Sequence, residues 1–153
     1  MTIRRAGLGD LDALAPLFDA YRQFYAQPAD AALARAFLAE RIERGESVVL
    51  IALGDDGRAL GFTQLYPTFC SVAAARIFVL YDLFVAPAGR RAGVGATLLR
   101  AAADFARGEK AVRLDLSTAL TNTAAQALYE REGWRPVQEF LVYSLTLTPE
   151  SGA

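Results

Sequence analysis

The segment from residue 75 to residue 118 constrains the fold of this chain more than any other part of the sequence. It begins with the apolar run ARIFVLYDLFV (Ala75–Val85), which is typical of a buried strand and ends before Pro87. Apolar residues then recur with helical spacing over residues 94–105, and residues 111–118 alternate between apolar and polar. A strand, a helix and a second strand in this order predict a right-handed crossover between parallel strands.

Antiparallel strands are expected before this crossover. Two apolar runs, residues 47–53 and 59–67, flank the turn sequence GDDG and predict a hairpin. Residues 2–6 and 140–147 predict a first and a last strand, and helical periodicity predicts two helices before the hairpin and one after Asn122. The order β-α-α-β-β-β-α-β-α-β is that of an α/β chain with a mixed sheet and helices on its faces.

Length and composition narrow the class of protein. The 153 residues fit one domain, so we expect residues 1–153 to form a single domain. No apolar run approaches the roughly 20 residues of a membrane span, and the first ten residues are polar, so a soluble cytoplasmic protein without a membrane partner is expected. A net charge of −1 does not indicate a basic surface for nucleic acid.

The absence of histidine limits the chemistry. With no histidine and a single cysteine, Cys70, the chain has no Ser-His-Asp site, no Cys-His site and no histidine metal site, and we expect no bound metal. Any acid or base must be an Asp, Glu, Tyr, Cys or Lys side chain, or a water molecule.

The glycine-rich junction RRAGVGATLL, residues 90–99, allows three interpretations. A nucleotide-binding loop is disfavoured, because the GK[ST] of a P-loop is absent and Leu98 is too large for the third glycine of a dinucleotide fingerprint. The junction is otherwise a plain turn with solvated arginines, or an anion cradle in which Gly93 and Gly95 expose the N–H groups of a helix N-terminus. The junction alone leaves both of these open.

A second block extends the pattern. R-x-x-G-x-G/A at residues 90–96 is followed by N-x-x-A-x-x-L-Y-x-x-x-G-W from Asn122 to Trp134. The two blocks in this order resemble the GCN5-related N-acetyltransferase (GNAT) superfamily, and the element order is similar over nearly the whole chain. The resemblance implies the GNAT fold: three layers, a mixed and mostly antiparallel central sheet with a splay between two parallel strands, and helices on both faces. It also implies acetyl-CoA as the co-substrate.

The resemblance assigns residues to the cofactor. Pantetheine in that family lies in the splay, which implies contacts with Leu83, Phe84 and Val85 and a Val85 N–H that polarises the thioester carbonyl. The pyrophosphate loop corresponds to Arg90, Arg91, Gly93, Val94, Gly95 and Ala96. Asn122 and Ala125 lie at the start of the next helix, where Asn122 bonds pantetheine, caps the helix, or does both.

Two residues are candidates for catalysis. Tyr129 matches the family tyrosine that acts as general acid at the CoA sulfur, and the alternative is an aromatic side chain that packs the helix on the sheet. Asp82 is a charge inside an apolar strand, so it is either the general base or a structural carboxylate. Many relatives carry a glutamate where this chain has Tyr81, so deprotonation through water by Asp82 or Tyr81 is a further alternative. Cys70 lies outside the motifs, which favours direct transfer in a ternary complex over a cysteine acyl-enzyme.

The acceptor pocket is the least specified part. In this fold the first two helices and the central hairpin form its walls, which contribute Tyr21, Phe24, Tyr25, Gln64, Tyr66, Phe69 and Tyr81. Aromatic side chains either enclose an amine by cation–π contacts or pack the core. The expected acceptor is a primary amine of a small molecule, with a faint similarity to the polyamine branch of the superfamily, although only Asp19 and Asp82 could supply an acidic pocket.

Other functions remain open at this stage. A peptide or protein N-acetyltransferase would need an open groove in place of a closed aromatic pocket. A CoA-binding module without catalysis would keep the fold and lose turnover. Dimers are common in the superfamily, so a homodimer is one expected state.

Overall fold

The computed structural model describes residues 1–149 as a five-stranded sheet with helices on both faces. The strands are β1 (Thr2–Arg5), β2 (Val48–Leu53), β3 (Ala59–Cys70), β4 (Ala75–Val85) and β5 (Leu114–Asp115). The helices are α1 (Leu11–Phe24), α2 (Ala31–Glu43), α3 (Val94–Gly108) and α4 (Thr123–Arg131), and single 3-10 turns lie at Leu8–Asp10 and Pro87–Gly89.

The sheet has the order β1-β2-β3-β4-β5. Neighbours from β1 to β4 are antiparallel, and β4 and β5 are parallel across the connection formed by α3. The predicted hairpin and the predicted parallel crossover are both confirmed. The mixed, mostly antiparallel sheet of the expected fold is confirmed with them.

The alternation of β2 divides the core into two halves. Val48, Leu50 and Ala52 pack against α3 on one face, whereas Val49 and Ile51 pack against α1 and α2 on the other. Because both faces of this strand are covered, its sequence is a continuous apolar run and not a polar-apolar alternation. The sheet therefore forms the middle of three layers.

A bulge in β4 changes the orientation of the side chains that follow it. Gln64 pairs with Asp82 but the next residue of β3 pairs with Leu80, so Tyr81 has no partner in β3. A one-residue insertion exchanges the two faces of a strand. Leu80 packs on the α3 side before the bulge, and Leu83 does so after it. Asp82 is consequently placed beside Tyr21 of α1.

The two parallel strands separate soon after they meet. β5 pairs with β4 at Phe78 and Val79, and the Val112 N–H just before β5 donates to the Arg76 carbonyl at 2.9 Å. The part of β4 beyond Val79 has no neighbour on that side among the described residues. The predicted strand over residues 111–118 is therefore shortened to Leu114–Asp115, because a strand extends only as far as its partner stays alongside. This gap is the splay that the family resemblance implies.

The prediction of a last strand at residues 140–147 is wrong for the single chain. No residue of this segment belongs to the sheet, and its large apolar side chains are almost fully exposed, as Val142 shows at 91%. The alternating sequence is typical of a strand, but a strand also needs a neighbour that accepts its hydrogen bonds. The described part of this chain supplies none.

Two structural features, a membrane-spanning helix and a metal-binding cluster, are absent from residues 1–149. None of the helices described there has the length and apolar content needed to cross a bilayer. No three His, Cys, Asp or Glu side chains in the same range come together as a group that could hold a metal ion.

Candidate active site

A cleft of about 560 Å³ opens where β4 and β5 separate. Its walls come from the end of β4, the loop before α3, the first turn of α3, and α4. The cleft brings together the twelve residues that the resemblance implies for the cofactor: Leu83, Phe84, Val85, Arg90, Arg91, Gly93, Val94, Gly95, Ala96, Asn122, Ala125 and Tyr129. Residues from β4, the loop before α3, the first turn of α3 and α4 thus share one surface.

The edge of β4 offers free backbone groups to this cleft. The Ala86 N–H donates to the Leu60 carbonyl at 2.8 Å. In an antiparallel pair the direction of the hydrogen bonds alternates along the strand, so the N–H and C=O groups of Val85 and Leu83 point away from β3. Because β5 has already ended, no strand among the described residues meets them.

The N-terminus of α3 supplies a second set of free donors. Gly93 precedes the helix with φ at +75°, a left-handed conformation that a glycine adopts without strain. The Thr97 N–H makes the first helical bond, to the Gly93 carbonyl at 3.0 Å. The N–H groups of Val94, Gly95 and Ala96 therefore have no helical acceptor, and they lie at the positive end of the helix dipole.

Arginines make the same end of the cleft positive. Arg90 donates from Nε to the Val85 carbonyl at 3.3 Å, and Arg91 lines the cleft beside it. Arg131 lines the cleft from α4, and the motif gave no signal for it because the matched block specifies other positions of that helix. No Asp or Glu is among the lining residues in the described part of the chain. This charge distribution suits an anion.

The start of α4 is fixed by Asn122. Its Oδ1 accepts a hydrogen bond from the Ala125 N–H at 3.2 Å, so the predicted capping role is confirmed. The residue also lines the cleft, where a pantetheine contact stays a prediction. A helix held at this point carries Tyr129, two turns later, to the same cleft.

Tyr129 is half-buried beside Trp134, with 6.3 Å between the ring centroids. Burial raises the pKa of the Tyr129 phenol above its usual value, and the nearby Tyr25 phenol adds to this effect. The hydroxyl therefore keeps its proton throughout the neutral range. It is available there as a hydrogen-bond donor.

A smaller cavity of about 340 Å³ adjoins the cleft. Tyr21 and Tyr25 line both spaces, and their rings meet edge to face at 5.1 Å. The other lining residues are Val79, Leu80, Tyr81, Ser117, Thr118 and Ala119. The lining contains no Asp, Glu, Lys or Arg side chain and has three tyrosines, so the cavity is uncharged and partly aromatic.

The residues proposed for the acceptor fall into two groups. Tyr21, Tyr25 and the exposed Tyr81 line the smaller cavity. Gln64 is fully buried and Tyr66 packs against Tyr81 at 5.4 Å between ring centroids, and neither of them lines the cleft or the smaller cavity. Residues 117–119 were missed, because their position follows from the early end of β5 and not from their own sequence.

Asp82 lies behind the cavity wall. It is 5% exposed, and its Oδ2 accepts a hydrogen bond from Gln64 Nε2 at 2.7 Å. Burial raises the pKa of the Asp82 carboxyl, and the amide of Gln64 and the nearby hydroxyl of Tyr21 partly oppose the rise. The Tyr21 hydroxyl itself donates a long hydrogen bond, at 3.4 Å, to the Tyr81 carbonyl. Because Tyr21 lines both cavities, it connects this carboxyl to them.

Comparison with known proteins decides the family. The model of the acetyltransferase (GNAT) family matches residues 13–134, which include most of α1, the splay and α4. This chain belongs to the GNAT family. The match spans most of the chain and contains both sequence blocks that carry the resemblance.

Relatives of similar length support an acetyltransferase. The uncharacterized N-acetyltransferase YhfO of Bacillus subtilis (strain 168) is 48% identical over 147 residues, 96% of this chain and 98% of its own length. The crystal structure of a probable acetyltransferase is 44% identical with a TM-score of 0.93, and the match covers 98% of this chain and 100% of that one. The aminoglycoside N(6')-acetyltransferase type 1 of Klebsiella aerogenes is 35% identical over 107 residues, 67% of this chain and 68% of its own.

Proposed function

We propose that this GNAT protein transfers the acetyl group of acetyl-CoA to the primary amine of a small molecule, by direct attack while both substrates are bound. The observation that carries the proposal is the meeting of the two cavities at Tyr21 and Tyr25. One space has the chemistry for a long anionic cofactor, and the other has the size and the aromatic walls for a small amine.

The cleft suits the pyrophosphate and pantetheine parts of CoA. The three free N–H groups at the start of α3 and the arginines suit a pyrophosphate, and the unpaired edge of β4 suits the amide groups of pantetheine. When bound, acetyl-CoA supplies an acetyl thioester, whose carbonyl carbon amines attack readily. Residues of the chain stabilise the developing charge, assist the leaving sulfur and take up the proton of the amine.

The Val85 N–H is placed to stabilise developing charge. It points out of β4 into the cleft, where a carbonyl oxygen can accept its hydrogen bond. A fixed donor of this kind lowers the barrier as negative charge grows on that oxygen, because the donor needs no reorientation.

Tyr129 acts on the leaving sulfur by donating a hydrogen bond. A thiol of the cysteine type has a pKa of about 8.5, whereas the pKa of Tyr129 is raised above that of an ordinary phenol. Complete proton transfer from the phenol to the thiolate is therefore uphill. A hydrogen bond that strengthens as the sulfur becomes negative is the contribution that this environment favours.

Asp82 and Tyr21 provide a route for the proton of the amine. The Tyr21 hydroxyl accepts the proton released by the ammonium group and passes its own proton to the Asp82 carboxylate, so the phenol is neutral before and after. The contact between Tyr21 and Asp82 and the position of Tyr21 on both cavities support this relay. The raised pKa of Asp82 makes its carboxylate a stronger base.

The smaller cavity favours an amine with one positive charge. Tyr21, Tyr25 and Tyr81 offer ring faces for cation–π contacts, but the lining contains no carboxylate that would hold a second ammonium group. The name of the aminoglycoside N(6')-acetyltransferase relative supports a small molecule as the acceptor class. An aminoglycoside carries several amino groups, so this name supports the small-molecule class and not the single charge, which rests on the lining of the cavity.

Asp82→Asn tests the relay. We expect kcat to fall by about 100-fold and the acidic limb of its pH profile to disappear. Stability should move in the opposite direction, because a carboxyl whose pKa is raised by folding destabilises the folded state as pH rises from about 4 through the folded pKa. The variant should therefore have a higher Tm than the wild type at pH 7.5, and the difference should vanish near pH 4.

Asp19→Asn is the matched control for this substitution. Asp19 is also buried, but it accepts the Asp30 N–H at 2.9 Å and lines neither cavity. Its variant should keep the acidic limb of the pH profile. If Asp82→Asn keeps the acidic limb of the pH profile and at least half of the wild-type kcat, Asp82 is structural.

A panel of acceptors tests the proposed function itself. Release of CoA thiol from acetyl-CoA is measured with small monoamines, polyamines, an aminoglycoside and lysine-containing peptides. Turnover should be fastest with a monoamine that carries an apolar or aromatic group. Turnover with peptides alone would favour a peptide N-acetyltransferase, and slow release with every amine would favour a CoA-binding module.

A further inference from the structure

Gln64 is a fully buried polar side chain in the sheet. In the register of the strands it lies between Val49 of β2 and Asp82 of β4. Its Nε2 donates to Asp82 Oδ2 at 2.7 Å, whereas its Oε1 is buried and has no hydrogen-bond partner within residues 1–149. One half of this amide is therefore used and the other half is not.

Packing does not account for an amide at this position. A buried amide oxygen loses its hydrogen bonds to water, and without a new partner it destabilises the folded state. A leucine at residue 64 would fill nearly the same space and would carry no such oxygen. Phe62 and Leu65 on the same strand are apolar and just as buried. The amide is therefore better explained by the hydrogen bond that it donates to Asp82.

No cation supports the charge of Asp82 among the described residues. Tyr21 of α1 and Tyr66 of β3 face the carboxyl: burial raises the pKa of both phenols, and the charge of Asp82 raises each of them further. Arg41 of α2 lowers the pKa of Tyr66, but it is ion-paired with two glutamates and does not act on Asp82. The ionised carboxylate therefore depends on neutral donors, and Gln64 is the one at hydrogen-bond distance.

Thr63, the preceding residue of β3, contacts Asp82 in a different way. Its Oγ1 donates to the main-chain carbonyl of Asp82 at 2.7 Å, and it is also fully buried. This bond fixes the backbone beside the bulge and leaves the carboxyl group untouched. The two neighbours thus divide two tasks, because Thr63 holds the main chain of Asp82 and Gln64 holds its side chain.

We propose that Gln64 is a positioning residue for the proton relay, which holds Asp82 Oδ2, favours the ionised carboxylate and leaves Oδ1 to receive the proton from Tyr21. A carboxylate accepts at both oxygens, so a donor fixed on one of them leaves the other for the proton. Gln64 itself neither gains nor loses a proton. The consequence for acetyl transfer rests on the proposed function, whereas the pairing of Gln64 with the ionised carboxylate does not.

Carbon-13 NMR of the Asp82 carboxyl measures its titration without any substrate. Gln64→Leu should raise the midpoint by about one pH unit, because loss of a donor costs a carboxylate more than a carboxylic acid. Thr63→Val is the matched control, since it removes a buried hydroxyl that bonds the same residue, and its midpoint should stay within about 0.3 pH unit of the wild type. An unchanged midpoint in Gln64→Leu, or equal shifts in both variants, overturns the proposal.

A measurement on the wild type covers a variant that does not fold. The side-chain NH2 resonances of Gln64 should shift with the same midpoint as the Asp82 carboxyl, because the donated proton responds to the change from carboxylate to carboxylic acid. Resonances that stay constant throughout the titration of Asp82 contradict the pairing.

Kinetics separates this proposal from the function on which it builds. In Gln64→Leu the acidic limb of the kcat profile should move to higher pH by the same shift. KM for the amine should stay within about threefold of the wild type, because Gln64 lines neither cavity. If the carboxyl midpoint moves and the acidic limb does not, the pairing stands and Asp82 is not the base. If neither of them moves, the pairing is overturned.

Discussion

Replacing Tyr129 with phenylalanine is expected to lower kcat for acetyl transfer by about 100-fold and to leave the Kd for CoA within about threefold. The phenol lies in the cleft but half-buried against Trp134, so loss of its oxygen keeps the packing and removes one donor. Steady-state kinetics and calorimetric titration with CoA measure the two quantities. The large effect on kcat follows because the hydrogen bond strengthens only as the sulfur becomes negative.

Tyr66→Phe is the control for this prediction. Tyr66 is another half-buried tyrosine, and burial raises its pKa as well, but it lines neither cavity. Its variant should keep kcat within about twofold. Because the pKa of Tyr129 is raised, deprotonation of its phenol should produce no limb below pH 10 in the pH profile of the wild-type kcat. If the kcat of Tyr129→Phe stays within twofold of the wild-type kcat over pH 7–9, the tyrosine contributes packing and not catalysis.

Replacing Gly95 with valine is expected to weaken CoA binding by about 100-fold or more, measured by calorimetric titration. A Cβ at this position lies 3.3 Å from Leu128 Cδ2 and 3.8 Å from Val85 Cγ2, so α3, α4 and β4 converge here. The added methyl groups crowd Leu128 and Val85, which line the cleft beside the free N–H groups of the first turn of α3. The loss falls on binding because these donors hold the anion in every state of the reaction.

Gly108→Val is the matched control, because Gly108 ends the same helix and a Cβ there meets no atom within 4 Å. We expect CoA binding to remain within about threefold of the wild type. Equal loss in both variants would assign the effect to the stability of the helix. Unchanged binding in Gly95→Val would place the anion elsewhere.

The half of the site assigned to the cofactor was predictable from the sequence. The glycines and arginines at residues 90–96 and the block from Asn122 act through local backbone geometry, which a short motif encodes. The free edge of Val85 was also implied, because the family places pantetheine beside that strand. The structure adds the reason: alternation of the ladder turns this N–H away from β3.

The half of the site assigned to the acceptor was less predictable, because it depends on two irregularities of the sheet. The bulge at Tyr81 places Asp82 behind the wall beside Tyr21, and the early end of β5 places residues 117–119 on the cavity. Neither a bulge nor the length of a ladder follows from the periodicity of a single strand. Gln64 was proposed for the pocket on its position in the hairpin, and it lies under the wall.

The segment of residues 140–147 shows the opposite limit. Its sequence predicts a strand, and the pattern describes a preference of residues 140–147 that the single chain does not satisfy. Secondary structure in a sheet is a property of two segments, so an alternating pattern becomes a strand only where a second segment lies alongside it.

A crystal structure of the protein with CoA bound tests the central claim most directly. The account predicts pyrophosphate oxygens at about 3 Å from the N–H groups of Val94, Gly95 and Ala96, with the pantetheine amides paired to Leu83 and Val85. It also predicts the sulfur beside the Tyr129 hydroxyl, next to the smaller cavity. CoA bound outside the splay, or with its pyrophosphate away from the start of α3, would contradict the account.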